Sequence, residues 1–206
     1  PPNRKGDYLP EKTRDGRLMK PGNLTHLLPG PEITYQSYGH GWANLSNTPF
    51  RLFKQYDHEG GIHTPMIAHW PKQIKAKGTT NPTLSHLVDL MPTILEATQS
   101  SPSEFPADKK RIAWDGRSIL PALTGKKQAD PAVLFFHHAR GKAIRVGNWK
   151  LVLNKDGKKK AKWELYDLSV DPNELKDLAN SQTNKVKELV QLWESKEKEC
   201  KERSSM

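Results

Sequence analysis

The chain has 206 residues, with 33 Lys and Arg against 23 Asp and Glu for a formal charge of +10, and a mean hydropathy of −0.80. That length suffices for one large domain or two small ones with a buried core, and six Trp, five Tyr and five Phe argue against disorder. No run approaches the ~18 apolar residues of a bilayer span, no leader pattern stands at the start, and the single Cys200 excludes an intrachain disulfide framework.

The positive balance suits an anionic partner, such as nucleic acid, a sulfated glycan or a membrane surface, or simply keeps Lys-rich loops soluble. The first residue is Pro1 rather than Met, so a processed or excised piece of a longer protein is expected.

Residues 1–46 carry repeated Pro and Gly without a sustained period, as in DYLPEKTRDGRLMKPGN and LLPGPEITYQSYGHG, and read as a loop-rich segment. Next comes NTPFRLFKQYDHEGGIHTPMIAHWP, residues 47–71. Phe50, Phe53 and Tyr56 can anchor the backbone around Arg51 and Lys54, and Glu59-Gly60-Gly61 forms a tight entry into PMIAHWP, a short apolar run between prolines that predicts a buried strand. HEGGIH is one residue too long for a zinc-protease helix, and its two glycines break the helix such a site needs. No metal site is expected from it.

Leu84, Leu87, Val88, Met91, Ile94, Leu95 and Thr98 fall on one helical face, with Pro92 either kinking the helix or starting it anew. Residues 99–131 read as a connector around the apolar cluster DGRSILPALTG. Beyond it the period changes to two. AVLFFH, KAIRV, NWKLVLN and KWELYDL predict four strands of an antiparallel meander, with Asp156-Gly157 as a tight turn.

Asp171-Pro172-Asn173-Glu174 has the form of a capping box before a last helix, in which Val186, Leu189, Val190 and Trp193 make one apolar stripe. SKEKECKERSSM is expected to fray in solvent. The Lys155–Lys162 patch, near Trp163 and Tyr166, has the position of a solvated hairpin tip, with no nucleic-acid motif beside it. Cys200 reads as an inert exposed thiol.

NTPFRLFKQYDHEGGIHTPMIAHWP closely resembles the segment of type I (formylglycine-dependent) sulfatases that follows their second pair of metal ligands. SHLVDLMPTILEA and DGRSILPALTG are similar to the family's next helix and following segment. AIRVGNWKLV and WELYDLSVDPNELKDLAN resemble its C-terminal sheet and the turn after it. The likeness runs in order from about Gly39 to Trp193.

The resemblance implies the C-terminal part of an α/β, alkaline-phosphatase-like sulfatase fold. Residues 1–46 would be loop-rich, 47–125 the end of the main α/β domain, and 126–206 an α+β subdomain of four antiparallel strands packed by a helix. It further implies hydrolysis of sulfate esters of carbohydrate or aryl type, with calcium and formylglycine in the full-length enzyme and neither bound by this fragment.

The Cys/Ser-x-Pro-x-Arg motif and the Asp-Asp and Asp-Asn metal ligands are not in this sequence, so the fragment alone is expected to be inactive. What carries over is Lys54, which matches the lysine contacting the sulfate, and Arg51, which matches a nearby family arginine and is expected to bind substrate. His138 in FFHHARGKAIR resembles a histidine near the leaving group or its neighbouring sugar. Ala139, Arg140 and Gly141 replace the usual residues after it, and His63 stands where Arg or Ser is common. His137 and His138 are equally readable as ordinary strand residues facing opposite ways.

The implied partners are a sulfated small molecule or glycan and the N-terminal part of the same protein, without nucleic acid or membrane, in the periplasm or outside the cell. A non-catalytic binding module and a phosphonate or phosphate ester hydrolase of the same superfamily are the alternatives.

Overall fold

The computed structural model describes residues 9–100, 114–131, 133–138, 141–155 and 161–204. The predicted turn at Asp156-Gly157 lies outside the described residues.

The meander forms as its sequence pattern dictates. Strands β3 (Leu134–His138), β4 (Gly141–Val146), β5 (Trp149–Asn154) and β6 (Glu164–Asp167) make one antiparallel sheet in the order β3-β4-β5-β6, separate from the pair β1 (Lys20–Pro21) and β2 (Thr34–Tyr35). Its register pairs Ile144 with Leu151 and Leu151 with Leu165, while Ala143 opposes Val152. Successive side chains therefore alternate between two faces.

One face carries Ile144, Leu151 and Leu165, all fully buried beneath Leu189 and Trp193 of the last helix, α5 (Thr183–Ser204). Trp193 centres this contact. Its indole N–H donates to the Phe136 carbonyl at 3.1 Å, its ring lies 5.4 Å from Phe135, and the Lys142 ammonium stands 4.2 Å over it. The predicted stripe is the buried one. Its predicted end is not, because α5 continues to Ser204. Lys196–Glu199, Lys198–Glu202 and Lys201–Glu197 pairs line successive turns and favour helix over coil by a few tenths of a kcal/mol each.

Upstream, β1 (Lys20–Pro21) and β2 (Thr34–Tyr35) form a short parallel pair, and α1 spans Gly39–Ser46. A one-turn helix, α2 (Glu59–Ile62), holds the Gly-Gly pair. A 3-10 turn (Leu87–Asp89) leads into α3 (Leu90–Thr98), so Pro92 sits in the first turn of a helix rather than at a kink. The short helix α4 (Leu120–Leu123) follows, with Pro121 in its first turn.

Three expectations fail here. PMIAHWP has no strand pairing among the described residues, and Ile67 is 95% exposed; a strand needs neighbours for its N–H and C=O groups, and none of these residues supplies one. Most of the predicted apolar stripe points outward, with Leu87 of the 3-10 turn 78% exposed and Met91 and Ile94 of α3 exposed as well, while Leu95 is buried. Polar anchoring turns the other side inward: Asp89 accepts from the backbone N–H groups of His86 and Arg117 at 2.8 and 2.9 Å, and the Thr93 hydroxyl accepts from Ile119 N–H at 2.9 Å.

The third is the capping box at Asp171, which opens no helix. Its carboxylate accepts from Leu175 and Lys176 N–H in a closed turn, and Glu174 takes a left-handed φ of 57°. That conformation turns Glu174 into the protein instead of back toward Asp171.

The packing predicts that Trp193→Ala lowers stability by about 3–5 kcal/mol, read as a reduced midpoint in urea denaturation.

Candidate active site

The second face of the sheet presents Lys150, Val152 and Asn154 of β5 with Tyr166 and Glu164 of β6, the alternate positions to the α5 face. Residues 51–63 cover it, and the contact is polar. Lys150 is 0% exposed. Its ammonium donates to Glu59 Oε1 at 2.7 Å and pairs with Glu174 Oε1 at 2.7 Å. Glu174 Oε2 accepts from Glu59 N–H at 2.8 Å, and Glu59 Oε2 meets His63 Nδ1 at 2.7 Å. Removing a charge from water costs several kcal/mol, repaid here because the lysine has two carboxylates and each carboxylate has further donors.

A second network lies beside it. Asp57 N–H donates to Asn154 Oδ1 at 3.2 Å, and Asn154 Nδ2 lies 3.1 Å from His58 Nδ1. This orientation of the amide leaves the His58 proton on Nε2, which faces Glu164 Oε2 at 3.2 Å. Tyr166 donates its hydroxyl to the same carboxylate.

Arg51, the expected substrate contact, is turned toward the sheet. Its Nη1 donates to Tyr166 Oη and to the Glu174 carbonyl, both at 2.8 Å, and pairs with Glu164 at 3.5 Å.

The two glycines are required by this close approach rather than by helix propensity. A Cβ on Gly60 would lie 2.3 Å from the Arg51 and Leu52 carbonyl oxygens, and one on Gly61 1.9 Å from that of Tyr56. Helix α2 is thus pressed onto the loop that carries Lys54, and Gly60 N–H donates to the Arg51 carbonyl at 3.0 Å. Between these anchors Leu52 and Gln55 have left-handed φ values of 66° and 84°, a conformation that costs non-glycine residues energy and is common at functional loops. Lys54 stands between them, exposed, and its ammonium makes no hydrogen bond or ion pair among the described residues.

Immediately after Lys54 begins the wall of a cleft of about 480 Å³. Gln55, Tyr56 and Asp57 line it together with His86 and with Phe136, His137 and His138 of β3. His137 also lines the cleft, with its ring 5.2 Å from Trp193 of α5 and Nδ1 3.4 Å from Glu197. His138 therefore borders the cleft, Lys54 immediately precedes its first wall residue, Gln55, and Arg51 is turned toward the sheet.

Sequence reasoning missed Lys150, Glu164 and Glu174. A lysine between apolar residues in NWKLVLN was the available signal.

Electrostatics follow from these contacts. Burial alone raises the Glu59 carboxyl, but the His63 hydrogen bond and the Lys150 ammonium outweigh it and bring the pKa from 4.5 to about 2. For Glu164 the His58 hydrogen bond is the largest influence; burial opposes it, Tyr166 and Arg51 add to it, and the pKa falls from 4.5 to about 2. Tyr166 is pushed well above the usual phenol value, first by burial and then by Glu164.

The chain thus pairs an antiparallel sheet with a helix on one face and a basic, Gly-Gly-anchored loop clamped to the other. The family model described as N-sulphoglucosamine sulphohydrolase, C-terminal, matches residues 50–202, and the chain belongs to that family.

It is similar to an uncharacterized sulfatase of Schizosaccharomyces pombe, 32% identical over 201 residues, covering 89% of this chain and 32% of that protein. An N-acetylglucosamine-6-O-sulfatase of Bacteroides thetaiotaomicron is 30% identical over 177 residues, covering 79% of this chain and 28% of that protein. The solved structure of Ps i-CgsB shares the fold with a TM-score of 0.53 at 23% identity, over 72% of this chain and 32% of that one. The chain spans about a third of the length of these relatives.

Two outcomes follow from the buried charges. Lys150→Met strands two carboxylates and costs about 3–5 kcal/mol, measured by chemical denaturation. Because Glu59 and Glu164 have folded pKa values below their ordinary 4.5, their stabilisation is complete above that pH and disappears as pH falls toward about 2. Urea midpoints therefore decline over this window, and Glu59→Gln makes the decline shallower.

Proposed function

We propose that this chain is the C-terminal part of an enzyme hydrolysing sulfate esters, of carbohydrate or aryl type, in which Lys54 contacts the sulfate. One observation carries the assignment. Lys54 is an exposed ammonium without a counter-ion among the described residues, on a loop whose two ends are fixed to the sheet by Arg51 and Glu59.

Sulfuryl transfer keeps negative charge on the sulfate oxygens and builds more on the departing ester oxygen. A cation already held in place stabilises both without reorganising. Arg51, with its Nη1 bonded to the sheet and to the Glu174 carbonyl, holds the loop in register, and any service to substrate is through Lys54. His138 borders the cleft and is assigned to the leaving-group side.

The residues of this chain do not fit the calcium ion and formylglycine that the resemblance implies. Among the described residues no group of three His, Cys, Asp or Glu could hold a metal, and Cys200 lies exposed in α5 within CKERS. In this proposal both come from elsewhere in the protein, together with export to the periplasm or beyond the cell. The names of the relatives, one of them an N-acetylglucosamine-6-O-sulfatase, support a carbohydrate sulfate.

In the intact sulfatase, Lys54→Ala is expected to lower kcat for an aryl sulfate by roughly 10²–10³, the loss seen when one such donor is removed. Steady-state kinetics check this; an unchanged kcat takes Lys54 out of the site.

A further inference from the structure

Glu174 grips both stems of the loop that carries Lys54. It follows β6 in the sequence and is 0% exposed. Its carboxylate Oε2 accepts from Glu59 N–H at 2.8 Å, which holds the downstream stem. Its backbone carbonyl accepts from Arg51 Nη1 at 2.8 Å, which holds the upstream one. Lys54 stands between these points, three residues after Arg51 and five before Glu59. Lys150 reaches the same region through the Glu59 side chain, which can change rotamer. The Glu174 bond is to the Glu59 backbone itself.

A carboxylate suits this place because two donors converge on it. Oε2 faces Glu59 N–H, and Oε1 faces the Lys150 ammonium at 2.7 Å. A side-chain amide has one accepting oxygen, so a glutamine here would turn its NH2 group toward one of the two donors.

The backbone around Glu174 is bent to the same end. Asp171 closes the turn by accepting from Leu175 and Lys176 N–H at 3.0 and 2.8 Å, and Glu174 takes a φ of 57°, which a non-glycine residue adopts at a cost. The side chain and the carbonyl of this one residue thereby reach two different segments. The loop they hold is itself strained, since Leu52 and Gln55 have φ values of 66° and 84°. Released from a stem, it has a driving force to relax toward ordinary backbone, and Lys54 moves with it.

We infer that Glu174 is a positioning residue for Lys54, fixing the place of the ammonium by clamping Arg51 and Glu59 without itself touching substrate. The role of Lys54 rests on the function proposed above. The clamp rests on the geometry of Glu174.

The test uses the intact sulfatase and an aryl sulfate, with Glu174→Ala, the volume-conserving Glu174→Gln, Lys54→Ala, and Lys54→Ala combined with each Glu174 variant. Rates are referred to the folded fraction, read from thermal melts. Displacing a reacting group by about 1 Å costs roughly 100-fold in rate. Glu174→Ala should therefore lower kcat roughly 10- to 100-fold with a smaller change in KM, and Glu174→Gln should fall between it and the parent. In the Lys54→Ala background either Glu174 substitution should cost about twofold or less, because its effect passes through Lys54. A general loss of stability would lower kcat alike in both backgrounds. Hydrogen exchange at Glu59 and Gly60 N–H should accelerate about tenfold or more in Glu174→Ala while β4 keeps its protection.

The inference is overturned if the folded Glu174 variants keep the parent kcat, or lower it equally with and without Lys54. Unchanged exchange at Glu59 and Gly60 overturns it as well. If Lys54→Ala still lowers kcat in those cases, the sulfatase reading stands without Glu174. A parent-like kcat in Lys54→Ala instead removes the role proposed for Lys54, and the inference with it.

Discussion

The architecture depends on one buried ammonium. Lys150 sits at the middle of the sheet, out of water, between Glu59 from the Gly-Gly turn and Glu174 from the loop after β6. Three segments distant in sequence meet there, and none can withdraw without leaving a charge unpaired in the interior. Such a pair contributes less to net stability than apolar packing of the same volume, but breaking it is costly. It therefore acts as a device for alignment, because it permits one docking of residues 51–63 on the sheet and penalises the others.

The two faces of the sheet divide the labour accordingly. Beneath α5 the contact is apolar, non-directional and tolerant, centred on Trp193, Leu189 and Ile144. On the opposite face it is a chain of directed bonds through Glu59, His58, Asn154, Glu164, Tyr166 and Arg51. The cation proposed to contact the sulfate has to be held to a fraction of an ångström. The directed face is where the loop bearing Lys54 is attached. The left-handed Leu52 and Gln55 show that the loop takes its shape from these attachments at the expense of backbone preference.

Local signals carried much of the fold. Period-two alternation located all four strands, because each pairs with its sequence neighbour and reads its burial from its own side chains. Helix α5 was visible for the same reason, since Val186, Leu189, Val190 and Trp193 repeat at helical spacing. Where the outcome depended on a distant partner, the local reading failed. The prolines around PMIAHWP and the apolar stripe from Leu87 to Ile94 both suggest burial, yet burial needs a second surface, and among the described residues none covers them. At Asp171 the four-residue signature fits a helix start, but Lys150 draws Glu174 inward, and the ion pair outweighs a cap worth about 1 kcal/mol.

By itself, then, the sequence determined the meander, the face of α5 that is buried, and the presence of Lys54 in a basic, aromatic-flanked loop before Glu-Gly-Gly. Tertiary structure alone decided that Arg51 faces the sheet, that His137, though it also lines the cleft, packs on Trp193, and that Asp57 Oδ2 lies buried with no hydrogen-bond partner among the described residues. The reason is physical. Periodicity reports how a segment divides its own side chains between water and core, whereas the direction of a charged group is settled by whichever opposite charge the rest of the chain brings within about 3 Å.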